Sequence, residues 1–575
     1  MEKSVKSQTF SKGIIVLFFS QIVIKLLGFI YRVIITGMDG FGDIGNSYYG
    51  AAFQFYTAIL AISTVGIPSA VAKLVSEKVA LRDYKGAHKI FKTALALFIT
   101  IGAFGTALMY FGADIMSGWV KNPGVAYSLK SLSFSIFFVA IASIIRGYFQ
   151  GFCDMKPQAN SQILDQLAKC FFTIWLTWFA GQHIVEFAGI FGLTLTEDVR
   201  AQLMAAAATF GSTIGTMVSV SYLYVYYKRR QKDIKNNVRT AEILSNESKK
   251  KIAFKLIALA GPIMLGSVIT SIAGLVNLFT VMPRLLVAGK TVEEAKILYG
   301  MITGKSDTLL NLPLALNVVY ATSLVPNISK AFALKNYEDA AKKINFSLFS
   351  TVLITLPAAV GISVLSDPII KMLFPTAPLG GFYIEVSAYA VIFIALAQTL
   401  AGALQGMGEV AIPAISLLVG ASLKYLLNYF LVAIDKINIF GIEIEMNVMG
   451  AAYSTIICYF VAFLISFTVL NKKIKLNLNY IKCFVKPAIC SAVMGVTAYF
   501  SYNGIYLVTL NYTLRHVVGV ARAAKYANLI TTLAAICIAV VVYGLMVLLV
   551  HAFSDEELGK LPFIGKLFKK IYKIG

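Results

Sequence analysis

The sequence predicts an all-α polytopic membrane protein of about fourteen transmembrane helices. They form two six-helix lobes related by a pseudo-two-fold repeat, followed by a C-terminal helix pair. Three observations predict it. Of the 575 residues, 58% are hydrophobic and only 14% are charged, with a mean hydropathy of +0.76. Soluble domains carry about 25% charged residues and need them to build a solvated face. Apolar runs of about 20 residues recur along the whole chain, each long enough to cross a hydrocarbon layer of ~30 Å. The chain also resembles itself at an interval of about 255 residues, as two-lobed transporters commonly do.

The apolar runs place helices at about 12–35, 48–78, 87–112, 126–150, 159–181 and 200–227. A second group follows at about 253–283, 297–330, 343–366, 382–406, 411–434 and 447–470, and a last pair at about 484–503 and 527–552. The implied organisation is an N-terminal lobe over 1–240, a C-terminal lobe over 241–475, an appended pair over 476–553 and a cytoplasmic tail over 554–575. The tail interleaves Leu, Phe and Ile with Lys560, Lys566, Lys569, Lys570 and Lys573, the pattern of a basic amphipathic helix lying in a membrane interface. The first run, Gly13–Ile35, lacks a small-residue cleavage site and reads as a span rather than a cleaved signal.

The net charge of +23 reads as topology. With the N-terminus cytoplasmic, loops on that side hold about 34 basic residues and the opposite loops about 11, the bias expected of inward-facing connections. Lys228, Arg229, Arg230, Lys232, Lys235, Arg239 and Lys249–Lys251 fall in one such loop, whereas the acidic stretches Asp39–Asp43, Glu186–Asp198 and Glu443–Glu445 fall outside. Both termini are then cytoplasmic, the membrane is the plasma membrane, and the excess charge meets anionic inner-leaflet lipid rather than nucleic acid. The six cysteines form no CxxC pair, the four histidines are scattered, and no Walker-type phosphate loop is present, so neither a metal site nor ATP binding is expected. No cofactor is expected and no catalytic residue is assigned: the protein is read as no enzyme.

The repeat rests on two matches. RGYFQGFCDMKP (146–157) aligns with AGALQGMGEVAIP (401–413), each with a Gln-Gly step, an acid (Asp154, Glu409) and a proline (Pro157, Pro413) between apolar runs. IPSAVAKLVSEK…DYKGA (67–87) echoes VPNISKAFALKNYEDA (325–340). An even number of crossings per half places the two copies in the same orientation.

These halves, with a terminal pair, resemble the multidrug/oligosaccharidyl-lipid/polysaccharide exporter superfamily. KLLGFIYRVIITGMDGFG (25–42), GIPSAVAKL (66–74) and RGYFQGFCDMKPQANSQILDQ (146–166) resemble its polysaccharide-exporter branch, the one that contains stage V sporulation protein B. DTLLNLPLALNVVYATSLVPNISKAF (307–332) is similar to the corresponding helix of the peptidoglycan lipid II flippases. The resemblance implies an undecaprenyl-linked saccharide, lipid II-like or a polysaccharide precursor, moved from the inner to the outer leaflet. The flippases carry an arginine just after a Gly-Phe step, and GFIYR places Arg32 one position later. Where their eighth helix has an acid followed by arginine, Asp307 is followed by Thr308, with Lys305 two residues earlier.

Six bases stay inside spans: Lys25, Arg32, Arg146, Lys169, Lys305 and Lys424. Each costs about 2.5–3.5 kcal/mol at a helix centre unless it meets water, a partner or an anion. Arg146, near the end of its span, reads as snorkelling. Gln21, Lys25, Gly28 and Arg32 recur at helical spacing on one stripe, which faces either a wet cavity or carboxylates of a neighbouring helix. Gln162, Asp165, Gln166 and Lys169 form a second stripe, in which Asp165 and Lys169 can neutralise each other. Lys424 and Asn428 share a face with no acid on their helix. Lys424 binds substrate phosphate, stands as a fixed charge where a relative holds a coupling cation, or serves helix packing or a cross-lobe pair. Lys305 and Asp307, two residues apart, point to different faces.

The expected substrate-binding set is thus Gln21, Lys25, Arg32, Lys305, Lys424 and Asn428, with Asp165, Lys169, Asp307 and Asn277 as ion-pair or coupling residues for Na+ or H+. The expected activity is that of a flippase working by alternating access. Gly66-Ile67-Pro68, Gly261-Pro262, Pro313 and Pro357 are candidate bends or static kinks. Two alternatives stay open: a cation-coupled multidrug antiporter of the same superfamily, and a non-transporting scaffold that recruits cell-wall synthesis proteins.

Overall fold

The computed structural model describes residues 10–63, 66–240, 247–439, 442–516 and 519–552. The expected amphipathic tail lies outside the described residues. Every expected span is helical, some in two pieces, and nine helices among the described residues are long and apolar enough to cross a membrane. Their outward faces are apolar too. In Val520–Leu549 the most apolar window has a mean hydropathy of 2.7, yet only 22% of it is buried, and Phe104 and Phe111 are similarly exposed on Tyr84–Phe111. Water would penalise such faces and lipid does not, because helices satisfy their own backbone groups. The chain is a multi-pass membrane protein.

Two expected runs are divided. The stretch at 48–78 is two helices, Gly42–Ser63 and Ile67–Ala80, the second opening with Pro68 in its first turn. A proline there gives up an N–H that has no helical partner anyway. The stretch at 297–330 is Val292–Gly300, a π-helical turn Met301–Ser306 and Asp307–Ala333. Lys249–Val287 runs through Gly261-Pro262 without a break, and Pro357 lies inside Tyr337–Val364. The stretch Glu443–Glu445, expected as plain loop, belongs instead to a small antiparallel hairpin in which Lys436–Ile439 pairs with Ile442–Glu445. Isoleucine alternates with polar residues in both strands, a period of two.

The chain forms two compact units, one of Met1–Ala315 with Ala414–Cys458 and the other of Leu316–Pro413 with Tyr459–Gly575. In the first, Ile67, Ala70, Val71, Leu74 and Val75 make a helical stripe buried against Tyr84–Phe111 and Val125–Gly151. In the second, Leu324, Ile328, Ile344, Leu348 and Leu400 anchor a comparable core. The C-terminal helices Lys486–His516 and Val520–Leu549 pack on that core, where Tyr543 donates to the Leu353 carbonyl (2.7 Å) and Asn528 to that of Pro368 (3.1 Å).

The repeat reappears as local geometry. Asp83 caps Tyr84–Phe111 and Asn336 caps Tyr337–Val364, each side chain accepting from the backbone three residues on. The preceding residues Arg82 and Lys335 are both left-handed, at φ 58° and 54°. Cys153 and Gly408, paired in the other match, have φ of 58° and 87°. The acids that follow also agree: Asp154 accepts from Tyr226, and Glu409 pairs with Lys473. In both copies the glycines ahead of this turn let helices touch. A Cβ on Gly147 would lie 2.7 Å from the Pro68 carbonyl oxygen, and one on its counterpart Gly402 would collide with that of Ala321.

Candidate substrate cavity

Helices Phe10–Thr36, Gly42–Ser63, Lys156–Gln182 and the start of Asp307–Ala333 enclose a cavity of about 420 Å³. The two polar stripes build one side of it. Gln21 donates to Gln162 (3.1 Å) and the Cys170 thiol to the Leu27 carbonyl (3.3 Å), which registers the two helices. That register brings Lys25, Gly28 and Arg32 opposite Gln166 and Lys169 on the cavity wall. A Cβ at Gly28 would meet Gln166 only at ordinary van der Waals distance, so the two stripes lie side by side without needing a glycine there. Asp307, Thr308 and Asn311 complete the polar lining, and Tyr31, Tyr49 and Phe53 supply an aromatic wall.

The cations are held by rings rather than by acids. The Arg32 guanidinium lies 4.2 Å from the Tyr49 ring centroid, Tyr49 stacks on Phe53 at 4.6 Å, and the Lys169 ammonium lies 4.4 Å from Phe53. Rings so close leave no room for a cation between them, so Arg32 and Lys169 sit on the outer faces of the stack. A ring face attracts a cation without cancelling its charge. Arg32 also donates through Nη2 to the Thr303 carbonyl (2.9 Å), while its Nη1 is buried without a hydrogen-bond partner. Lys25 is exposed. Lys25, Arg32 and Lys169 thus face one carboxylate, Asp307. Such a chamber suits an anion: arginine offers a planar fork and lysine a mobile point charge.

The other sequence-expected residues lie elsewhere. Lys305 is fully buried and pairs with Asp43 at 2.7 Å. Lys424 is buried and donates to the Ala273 carbonyl (3.0 Å). Asn428 donates to Asn277 (3.1 Å) and Thr280 (2.9 Å) and accepts from Ser454, making a polar junction of three helices. Among the described residues no ion pair joins Asp165 to Lys169, whose ammonium turns onto Phe53 and Tyr31 instead. Arg146 is half-buried and donates to Ser161 and Ser219, both at 2.8 Å. The aromatic wall was missed by sequence reasoning, although Tyr49 and Phe53 stand four residues apart, one helical turn. Among the described residues no group of three or more His, Cys, Asp or Glu is placed to hold a metal.

Comparison with known proteins agrees with the superfamily resemblance. The family described as polysaccharide biosynthesis protein matches residues 10–332, and the MatE family matches 307–430. The chain is 25% identical to the lipid II flippase MurJ of Bacillus subtilis (strain 168) over 500 residues, 84% of this chain and 87% of that one. It is 25% identical to stage V sporulation protein B of the same organism over 565 residues, 97% of this chain and 99% of that one. A solved structure of lipid II flippase MurJ in an inward closed conformation superposes with a TM-score of 0.61 at 17% identity, covering 94% of this chain and 98% of that one.

Proposed function

The chain belongs to the polysaccharide biosynthesis protein family, and from that premise we propose that it is a flippase for an anionic, undecaprenyl-linked saccharide. One observation carries this reading: Lys25, Arg32 and Lys169 outnumber Asp307 in a cavity built on apolar, membrane-crossing helices. A lipid-linked sugar has a tail at home in hydrocarbon and a phosphorylated head that is not. The protein need only shelter the head while the tail stays in lipid. The head arrives from the inner leaflet, the repeat-related lobes 1–240 and 241–475 rock about it, and it leaves to the outer leaflet. No covalent bond is made, so the protein acts as a transporter rather than an enzyme. It works in the plasma membrane with both termini cytoplasmic, the orientation its basic loops favour. An inside-negative potential then assists outward movement of an anion by about 2.3 kcal/mol per charge per 100 mV. Sodium or proton coupling would draw on Asp165, Asp307 or Asn277.

The MatE match keeps the antiporter reading in view, but a cationic drug needs carboxylates where this cavity has bases. A leaflet-accessibility assay decides the matter. In proteoliposomes holding a labelled undecaprenyl diphosphate saccharide, the protein is expected to expose label to an impermeant reagent. Equal exposure with and without protein overturns the proposal, and protein-dependent efflux of an organic cation instead establishes the antiporter.

A further inference from the structure

The cavity is tied to the π-helical turn Met301–Ser306, all of whose residues are buried. Four contacts hold that turn and the helix before it. Arg32 donates to the Thr303 carbonyl, Thr303 donates to the Asn46 carbonyl (3.2 Å), Lys305 pairs with Asp43, and Lys296 reaches both carboxylate oxygens of Asp198 (2.7 and 2.8 Å). Gly300 and Gly304 let this segment lie directly on Asp43 and Asn46, where a Cβ would collide. A π-turn carries a backbone register that an α-helix does not, and such turns recur at functional sites.

Arg32 belongs to both systems. It lines the cavity, yet its Nη2 is committed to Thr303, which lines the same cavity, and its Nη1 is buried with no partner. A phosphate oxygen is a stronger acceptor for guanidinium than a neutral carbonyl, because both groups are then charged. We infer that Arg32 is an exchangeable clasp: an anionic headgroup in the cavity takes its guanidinium from the Thr303 carbonyl, and this loosens the Met301–Ser306 turn. Substrate arrival then weakens one tie on the segment whose ion pairs with Asp43 and Asp198 keep it shut. The ligand shifts the equilibrium because it makes an interaction available only when the clasp is released. This inference rests on the proposed cavity as the headgroup site and adds the positioning residue through which occupancy is felt.

The test uses the full chain in nanodiscs with undecaprenyl diphosphate disaccharide as the probe. Binding of the probe is followed by thermal shift. Opening is followed by thiol labelling of Met301→Cys, a side chain 3% exposed, read site by site by peptide mapping because Cys153 and Cys537 are exposed free thiols, and by hydrogen exchange of the 299–306 amides in the unaltered protein. The probe is expected to speed labelling by about tenfold with Arg32 present, the effect of one charge-assisted hydrogen bond redirected. With Arg32→Gln, labelling is expected to be fast already and to respond little to the probe. Arg32→Lys, which keeps the charge and loses the fork, is expected to fall between. A probe that binds the parent yet leaves labelling and exchange unchanged overturns this inference alone, as does an equal response in Arg32→Gln. A probe that does not bind the parent overturns the headgroup site together with it.

Discussion

Lys305 Nζ lies 2.7 Å from Asp43 Oδ2, with side chains only 0% and 7% exposed, across 262 residues of sequence. Each charge offsets the burial of the other. Removing one partner of a buried pair strands the remaining charge and costs about 3–5 kcal/mol, whereas replacing both by apolar groups is often neutral. Lys305→Met and Asp43→Leu are each expected to lower the melting temperature in detergent sharply, and the double variant to recover most of the loss. A double variant as unstable as the worse single would show that the pair is not what holds the segment.

Lys25 and Lys169 line the cavity, and among the described residues neither forms an ion pair with a carboxylate. Replacing either with alanine is expected to leave abundance unchanged and to weaken headgroup binding by roughly 10- to 100-fold, the worth of one hydrogen bond to a charged group. Flipping rate against substrate concentration measures it. Lys424→Met serves as the contrast, because its ammonium is spent on the Ala273 carbonyl; a larger loss there than at Lys25 would move the binding site.

The glycine contacts predict matched damage in the two repeat copies. Gly147→Val and Gly402→Val each push a side chain into a backbone carbonyl, of Pro68 and Ala321 respectively. Overpacking of this kind costs about 1–3 kcal/mol. Similar drops in melting temperature are expected, with a drop at one site alone counting against equivalent packing.

The Glu247 carboxyl is held below its ordinary range by its hydrogen bond from Lys255 (2.8 Å), helped by the charge of Lys78. A depressed acid stabilises the folded form above its unfolded pKa and loses that contribution as pH falls through the folded one. The start of Lys249–Val287 is therefore expected to stay anchored at neutral pH and to loosen only in acid, below the usual carboxylate value of 4.5. A nitroxide at position 250 should report increased mobility there, and Glu247→Gln should be mobile at every pH.

Much of this was legible beforehand, for reasons that differ by residue. Apolar runs located the helices because lipid imposes a length and a composition. The stripe Lys25, Gly28, Arg32 pointed to the cavity because helical periodicity survives any tertiary arrangement. Lys305 and Lys424 were indistinguishable from Lys25 in sequence: each is a base in an apolar run. What separates them is a partner distant along the chain, Asp43 in one case and the Ala273 carbonyl in the other. Asp43 itself read as loop because its helix begins at Gly42, ahead of the apolar run. The π-turn left no trace, since its residues differ from α-helical ones only in hydrogen-bond register.

The left-handed turns at Arg82 and Lys335, and at Cys153 and Gly408, put no side chain into the chamber that carries the charge. Scaffold and cargo preference are thus written at separate positions. A substitution at one of these bends therefore alters the frame without touching the charge of the chamber, and a substitution in the lining alters the charge without touching the frame.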